Sequence, residues 1–127
     1  MAAAGGQVLI VEDDVKMREL LRRMIEGEKW NVAEAENGLA ALESLKARRP
    51  AVILLDLMMP VMDGFEFLAE LGKHKDWRSI PVVVITAMDL TAADRLRLQG
   101  QKILEKGTPI REDLIREVRR CIEQYRA

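Results

Sequence analysis

Short apolar runs alternate along the chain with stretches whose apolar residues recur every three or four positions. Gln7 to Val11 (QVLIV) is an apolar, β-rich run followed by acidic EDD. Met17, Leu20, Leu21, Met24 and Ile25 then repeat at helical spacing with charges between them, which predicts a first helix. Asp14 is its candidate N-cap and Gly27 its candidate stop. Trp30 to Ala35 reads as a second strand, and Asn37-Gly38 turns into a second helix that carries Leu42 and Leu45 and ends at RRP. Ala51 to Leu55 is an unbroken apolar run between Pro50 and Pro60, too short for a helix and suited to a strand buried on both faces. Phe65, Leu68 and Leu71 predict one face of a third helix ended by Gly72. Pro81 to Thr86 (PVVVIT) is the most β-branched run and predicts a fourth strand. A short charged helix is expected over about Thr91 to Leu98, capped by Thr91, then a weak fifth strand over Lys102 to Leu104. Leu114, Val118, Cys121, Ile122 and Tyr125 fall on one face of a last helix.

Five strands alternating with five helices predict an α/β fold, a parallel sheet covered on both faces through right-handed crossovers. Ligands in such folds bind beyond the carboxyl ends of the strands, where the strand order reverses. The residues just after each apolar run therefore matter most: Glu12, Asp13 and Asp14; Asp56; Thr86 and Ala87; Glu105 and Lys106. Asp56 poses the sharpest question, because a charge at the end of a buried strand costs several kcal/mol unless something pairs with it. Asp13, Asp14 and Asp56 are expected to crowd one sheet edge. Two carboxylates about 4 Å apart repel by roughly 4 kcal/mol at an effective dielectric near 20. A cation resolves this, and an all-oxygen, partly wet site suits Mg²⁺ better than Zn²⁺, which favours His or Cys. Lys106 adds a positive charge, Thr86 a hydroxyl, and the Ala87 backbone N–H a donor. That set suits a carboxylate nucleophile attacking a phosphoryl group held by metal, ammonium and hydrogen bonds, with an acyl phosphate on Asp56 as product.

Composition narrows the class. The 127 residues suit one domain, and Lys plus Arg (20) nearly balance Asp plus Glu (21), so no general pull toward nucleic acid or acidic membrane is expected. No apolar run approaches the roughly 20 residues of a membrane span. MAAAGG (residues 1–6) lacks the pattern of a signal peptide and reads as a flexible leader or linker, and the single Cys121 fits a reducing, cytoplasmic setting.

The order VLIVEDD, ILLDLMMPVMDG, PVVVITA and a lysine after the fifth strand resembles the receiver domain of two-component response regulators, over about residues 7–125. The resemblance implies a receiver domain over residues 7–127. It also implies a three-layer (βα)₅ flavodoxin-like fold with strand order 2-1-3-4-5. By the same resemblance the reaction depends on Mg²⁺ and takes a phosphoryl group from a histidine kinase or phosphotransfer protein. Asp13, Asp14 and Asp56 are then the metal-binding acids, completed by the backbone carbonyl of Met58. Pro60 and Gly64 shape the loop after the acceptor. The expected outcome is a conformational change that regulates an output domain or downstream protein. Two positions depart from the family: Ile103 stands where an aromatic residue is common, and Gly107 where a proline follows the lysine. The stretch from Thr86 to Gly107 is similar to receivers attached to hybrid sensor kinases.

Other conspicuous residues have plainer readings. His74, the only histidine, is expected in an exposed loop; Cys121, Met17 and Met24 as core; Asp63 and Glu66 as caps of the third helix; and the Arg-rich last helix as a solvated face. Met58 and Met88 flank the proposed site and could border the path of attacking water. A metal-dependent aspartyl phosphatase would carry a D-x-D pattern after the first strand and a cap domain, whereas EDD has no such spacing. A nucleotide-binding relative would need a glycine- or hydroxyl-rich loop there. A receiver used only as a binding module would lack Asp56 or Lys106.

Overall fold

The computed structural model describes residues 7–106 and 111–126. The expected leader at residues 1–6, and Gly107, lie outside the described residues. Five strands, β1 (Gln7–Val11), β2 (Asn31–Ala35), β3 (Val52–Leu55), β4 (Val82–Thr86) and β5 (Lys102–Glu105), alternate with α1 (Val15–Glu26), α2 (Gly38–Ala47), α3 (Gly64–Lys73), α4 (Ala92–Arg97) and α5 (Arg111–Arg126). The sheet is parallel throughout, in the order β2-β1-β3-β4-β5. Strand order reverses between β1 and β3, which opens the crevice where this architecture binds ligands.

Alternation along the strands divides the core in two. Val8, Ile10, Val52, Leu54, Val83 and Ile85 face Leu21, Met24 and Ile25 of α1 and Leu114, Val118, Cys121 and Ile122 of α5. Leu9, Val11, Ile53, Leu55 and Val84 face Ala41 and Leu45 of α2, Phe67 and Leu71 of α3, and Leu98. Central strands β3 and β4 are therefore buried at every position, while the edge strands β2 and β5 carry exposed polar residues such as Asn31, Glu34 and Lys102. The charges on these edges discourage pairing with a further strand.

Local chemistry starts each helix where its cap residue stands. Asp14 accepts from Met17 N–H at 3.0 Å and Asn37 from Ala40 N–H at 2.8 Å. Asp63 with Glu66, and Thr91 with Asp94, form reciprocal capping boxes. Three expectations need correction. Helix α3 runs through Gly72 to Lys73, with His74 as its C-cap, because a glycine in helical geometry weakens a helix without ending it. The buried ring of α3 is Phe67, fully enclosed, while Phe65 and Leu68 pack only at its margin. Tyr125 is 46% exposed and lies outside the buried face of α5. His74 is exposed, as expected, and stacks on Trp77 with ring centroids 4.2 Å apart.

These positions give a direct test of the packing. Phe67→Ala removes a fully enclosed ring and should cost about 3–5 kcal/mol of unfolding free energy. Phe65→Ala should cost clearly less in the same denaturant titration. Equal losses would mean that both rings anchor the helix alike.

Candidate functional site

Strand register assembles the site. Val11 lies level with Leu55 on one side and Ala35 on the other, so the residues that follow β1 and β3 emerge side by side. The ladder continues one step beyond the strands: Asp56 N–H donates to the Val11 carbonyl at 3.0 Å and Glu12 N–H to the Ala35 carbonyl at 3.0 Å. On the other flank Thr86 pairs with Glu105, and Lys106 N–H donates to the Thr86 carbonyl at 2.8 Å. Apolar packing on both faces of the sheet thus fixes where four polar residues stand.

The acids that converge are Glu12, Asp13 and Asp56, each offering an oxygen within 4.8 Å of the others'. Glu12 and Asp56 are buried (2% and 7% exposed) and Asp13 is open to solvent. Asp14, expected as a metal ligand, directs its carboxylate to the N-terminus of α1 instead. The acidic pair facing Asp56 is thereby shifted by one residue, to Glu12 and Asp13. The signal was present in the sequence: Asp14 was already the best N-cap, and one short side chain cannot serve both the helix end and the crevice. Glu12 followed the first apolar run, but its role went unassigned.

Lys106 extends across this cluster from β5. Its Nζ lies 2.8 Å from Glu12 Oε1 and 3.8 Å from Asp56 Oδ1. Burial drives the Glu12 carboxyl up from its ordinary 4.5 to about 7, reinforced by the nearby Asp56 charge and opposed by the Lys106 hydrogen bond. Thr86 is fully buried, and its hydroxyl oxygen accepts from Met88 N–H at 3.0 Å. Ala87 follows it at the surface. Met58, two residues past Asp56, exposes 62% of its surface. With Met88 and Asp13 it lines an open cavity of about 600 Å³ beside the site.

The loop from Leu57 to Gly64 is tightly held. Gly64 N–H donates to the Leu57 carbonyl at 3.0 Å, and a Cβ on Gly64 would stand 2.6 Å from the Asp56 carbonyl oxygen and 2.7 Å from Leu57 Cα. Both are backbone atoms that cannot step aside, so only glycine fits against the peptide of Asp56. Val61 sits at φ 71°, a left-handed conformation costly for a β-branched side chain, and Met62 N–H closes the turn onto the Pro60 carbonyl at 2.7 Å. The Met62 carbonyl then accepts from Gly38 N–H at 3.0 Å, tying the loop to the start of α2.

A set of three carboxylate oxygens with an exposed side fits a hard divalent cation. Comparison with known proteins agrees with the fold. The response regulator receiver domain family matches residues 8–119. The transcriptional regulatory protein SrrA of Staphylococcus aureus is 40% identical over 81 residues, 64% of this chain and 32% of SrrA. The chain thus spans about a third of the length of the curated relatives it matches. The receiver domain of a signal transduction histidine kinase from Syntrophus aciditrophicus superposes with a TM-score of 0.84 at 30% identity, covering 94% of this chain and 91% of that one. A sensor histidine kinase receiver domain from Pseudomonas aeruginosa, with a magnesium ion coordinated in its active site cleft, superposes at 0.83 with 26% identity, covering 94% and 98%. The chain belongs to the response regulator receiver domain family. Among the described residues no helix is long and apolar enough to cross a membrane.

The buried glutamate makes a pH-dependent contribution to folding. The folded state holds a proton on Glu12 up to about pH 7 and the unfolded chain only to about its ordinary 4.5, so this group's contribution falls as pH rises between those values. Denaturant titrations in EDTA should show stability declining over that window, by on the order of 3 kcal/mol at most. Glu12→Gln should flatten the slope. An equally steep slope in the variant would assign the pH dependence to other groups.

Proposed function

We propose that Asp56 accepts a phosphoryl group, with Lys106, Thr86 and the Ala87 backbone N–H binding its oxygens, and with Glu12, Asp13, Asp56 and the Met58 backbone carbonyl holding Mg²⁺. The observation that carries this reading is a nearly buried aspartate at the end of a central strand, 3.8 Å from a lysine ammonium and beside two further acids. Mg²⁺, when bound, supplies positive charge against the phosphoryl oxygens and allows the three carboxylates to stay ionised together. Asp56 Oδ attacks phosphorus in line with the leaving group. With a phosphohistidine donor the P–N bond breaks, and the imidazole nitrogen keeps the electron pair and takes up a proton. Lys106, whose Nζ already stands 3.8 Å from Asp56 Oδ1, exchanges its bond to Glu12 for one to the incoming oxygens. Thr86 donates its hydroxyl hydrogen.

The chain's residues therefore assist their own phosphorylation and hydrolysis, and the protein acts as a signalling phosphoacceptor. Its donor is a histidine kinase or phosphotransfer protein, and its output is an attached domain or a separate downstream protein in the cytoplasm. The likeness to histidine kinase receivers favours attachment to a hybrid kinase, while SrrA is named as a transcriptional regulator; chemistry at Asp56 is common to both.

Incubation with Mg²⁺ and a small phosphodonor should add one base-labile phosphoryl group, detected by intact mass. Asp56→Asn should abolish it. Undiminished labelling of that variant would place the acceptor elsewhere.

The lifetime of the acyl phosphate tests the cavity. Hydrolysis needs an in-line water about 3 Å from phosphorus, and Met58 and Met88 line the open side where it would enter. Thioethers orient water poorly. Met58→Asn or Met88→Glu should therefore shorten the lifetime, by about tenfold for each 1.4 kcal/mol taken from the barrier. Phosphate release after donor removal, at fixed Mg²⁺, measures this. Unchanged decay in both variants would remove the methionines from the water path.

A further inference from the structure

The peptide plane that joins Glu12 to Asp13 leaves the sheet at the point where the strand ladder ends. Its neighbour on the β1 side, Glu12 N–H, is satisfied by the Ala35 carbonyl, the last residue of β2. Beyond Ala35 the chain turns toward α2 at Asn37, so no strand remains to serve the Glu12 carbonyl. Arg18 of α1 serves it instead, donating from Nη1 to that oxygen at 2.7 Å. The Arg18 side chain is only 18% exposed, and its Nε simultaneously donates to Glu34 Oε1 on β2 at 3.2 Å.

We propose that Arg18 is a positioning residue for metal binding: it locks the peptide plane between the two acids that face Asp56. This rests on the reading of Glu12, Asp13 and Asp56 as the Mg²⁺ site. An uncompensated change of ψ at Glu12 or of φ at Asp13 swings the two carboxylates relative to each other and to the third, and an anchored carbonyl oxygen between them restricts both angles. A charge-assisted bond from a planar guanidinium resists that rotation better than water would.

A cation placed this close to a metal site would also compete with the metal by simple repulsion. Glu34 answers that objection. Its two oxygens face Arg18 Nε at 3.2 Å and Arg22 Nε at 3.5 Å, so the charge of Arg18 is matched on the side away from the Glu12 carbonyl. Positioning should then outweigh repulsion. The opposite sign would be expected if Arg18 acted only through its charge, since its removal would tighten Mg²⁺ binding.

Arg22 supplies an internal control. It stands one turn further along α1, shares Glu34, and also pairs with Glu26 at 3.5 Å. Among the described residues it pairs with carboxylates on the helix and on β2, whereas Arg18 bonds the acidic turn. Loss of a merely structural ion pair should therefore look alike in the two variants, whereas loss of the locked peptide should appear only in one.

The experiment is calorimetric titration of the intact chain with Mg²⁺ alone at constant ionic strength, on the parent, Arg18→Met, Arg22→Met and Asp13→Asn, with thermal unfolding of each to confirm a folded state. Arg18→Met, which keeps an apolar stem and removes the donor, should weaken Mg²⁺ about tenfold, the lower end of what partners of metal ligands contribute. Arg22→Met should bind as the parent does, even if both arginine variants lose similar thermal stability. Parent-like or tighter binding by Arg18→Met, or equal weakening in both arginine variants, would overturn the proposal while Asp13→Asn remains weakened. Parent-like binding by Asp13→Asn would instead overturn the metal site itself.

Discussion

Like-charge repulsion among Glu12, Asp13 and Asp56 is the constraint around which the molecule is organised. Their oxygens fall within 4.8 Å of one another although two of the three side chains are buried. Left to themselves these groups would separate, since each carboxylate pair at such distances repels by a few kcal/mol. They are kept together because their backbones are extensions of β1 and β3, whose side chains are sealed into both apolar layers. The energy that holds the acids close comes from hydrophobic burial elsewhere. Burial, with the Asp56 charge adding to it, raises the Glu12 pKa, and the Lys106 ammonium leans on Glu12. A crevice in that condition is prepared for added positive charge, and then for an anion that the positive charge can hold.

Much of this was legible in the sequence, for reasons that can be named. The strands and helix starts followed from short apolar runs and from Asp14, Asn37, Asp63 and Thr91, residues whose side chains stabilise a helix N-terminus wherever they stand, whereas the strand order came only with the family resemblance. The meeting of Asp56 and Lys106 was readable because the residues that end parallel strands emerge at one sheet edge. What failed was rotational phase. Phe65 and Phe67 stand two positions apart at the start of α3, and only the angle at which α3 meets the sheet decides that Phe67 is enclosed. The same kind of error put Tyr125 inside. In the acidic run EDD, adjacent residues point in different directions, and pattern alone does not say which two enter the crevice. The competing demand of the helix cap on Asp14 decides it. Val61 left no readable signal either, since a β-branched residue is among the last expected at φ 71°.

The distribution of packing also bears on how a change at Asp56 could travel. Among the described residues, helix α4 has none buried within its span, and Leu98 just beyond it is the anchor to the core. Its start depends on the Thr91–Asp94 capping box, and Arg97 rests on the Phe65 ring at 4.1 Å. Such an element opens at low free energy compared with the enclosed strands beside it. Thr86, at the end of β4 beside the site, connects it, because its hydroxyl accepts from Met88 N–H at the start of the β4–α4 loop. A ligand that draws the Thr86 hydroxyl inward must therefore reset that loop, and little packing on α4 opposes the change. Ile103, half-buried and without a ring, offers no polar group to report the event through β5. Movement of the loop and of α4 is then the least costly response the fold has available, which makes the weakest-packed helix the natural reporter of chemistry at the most tightly held residues.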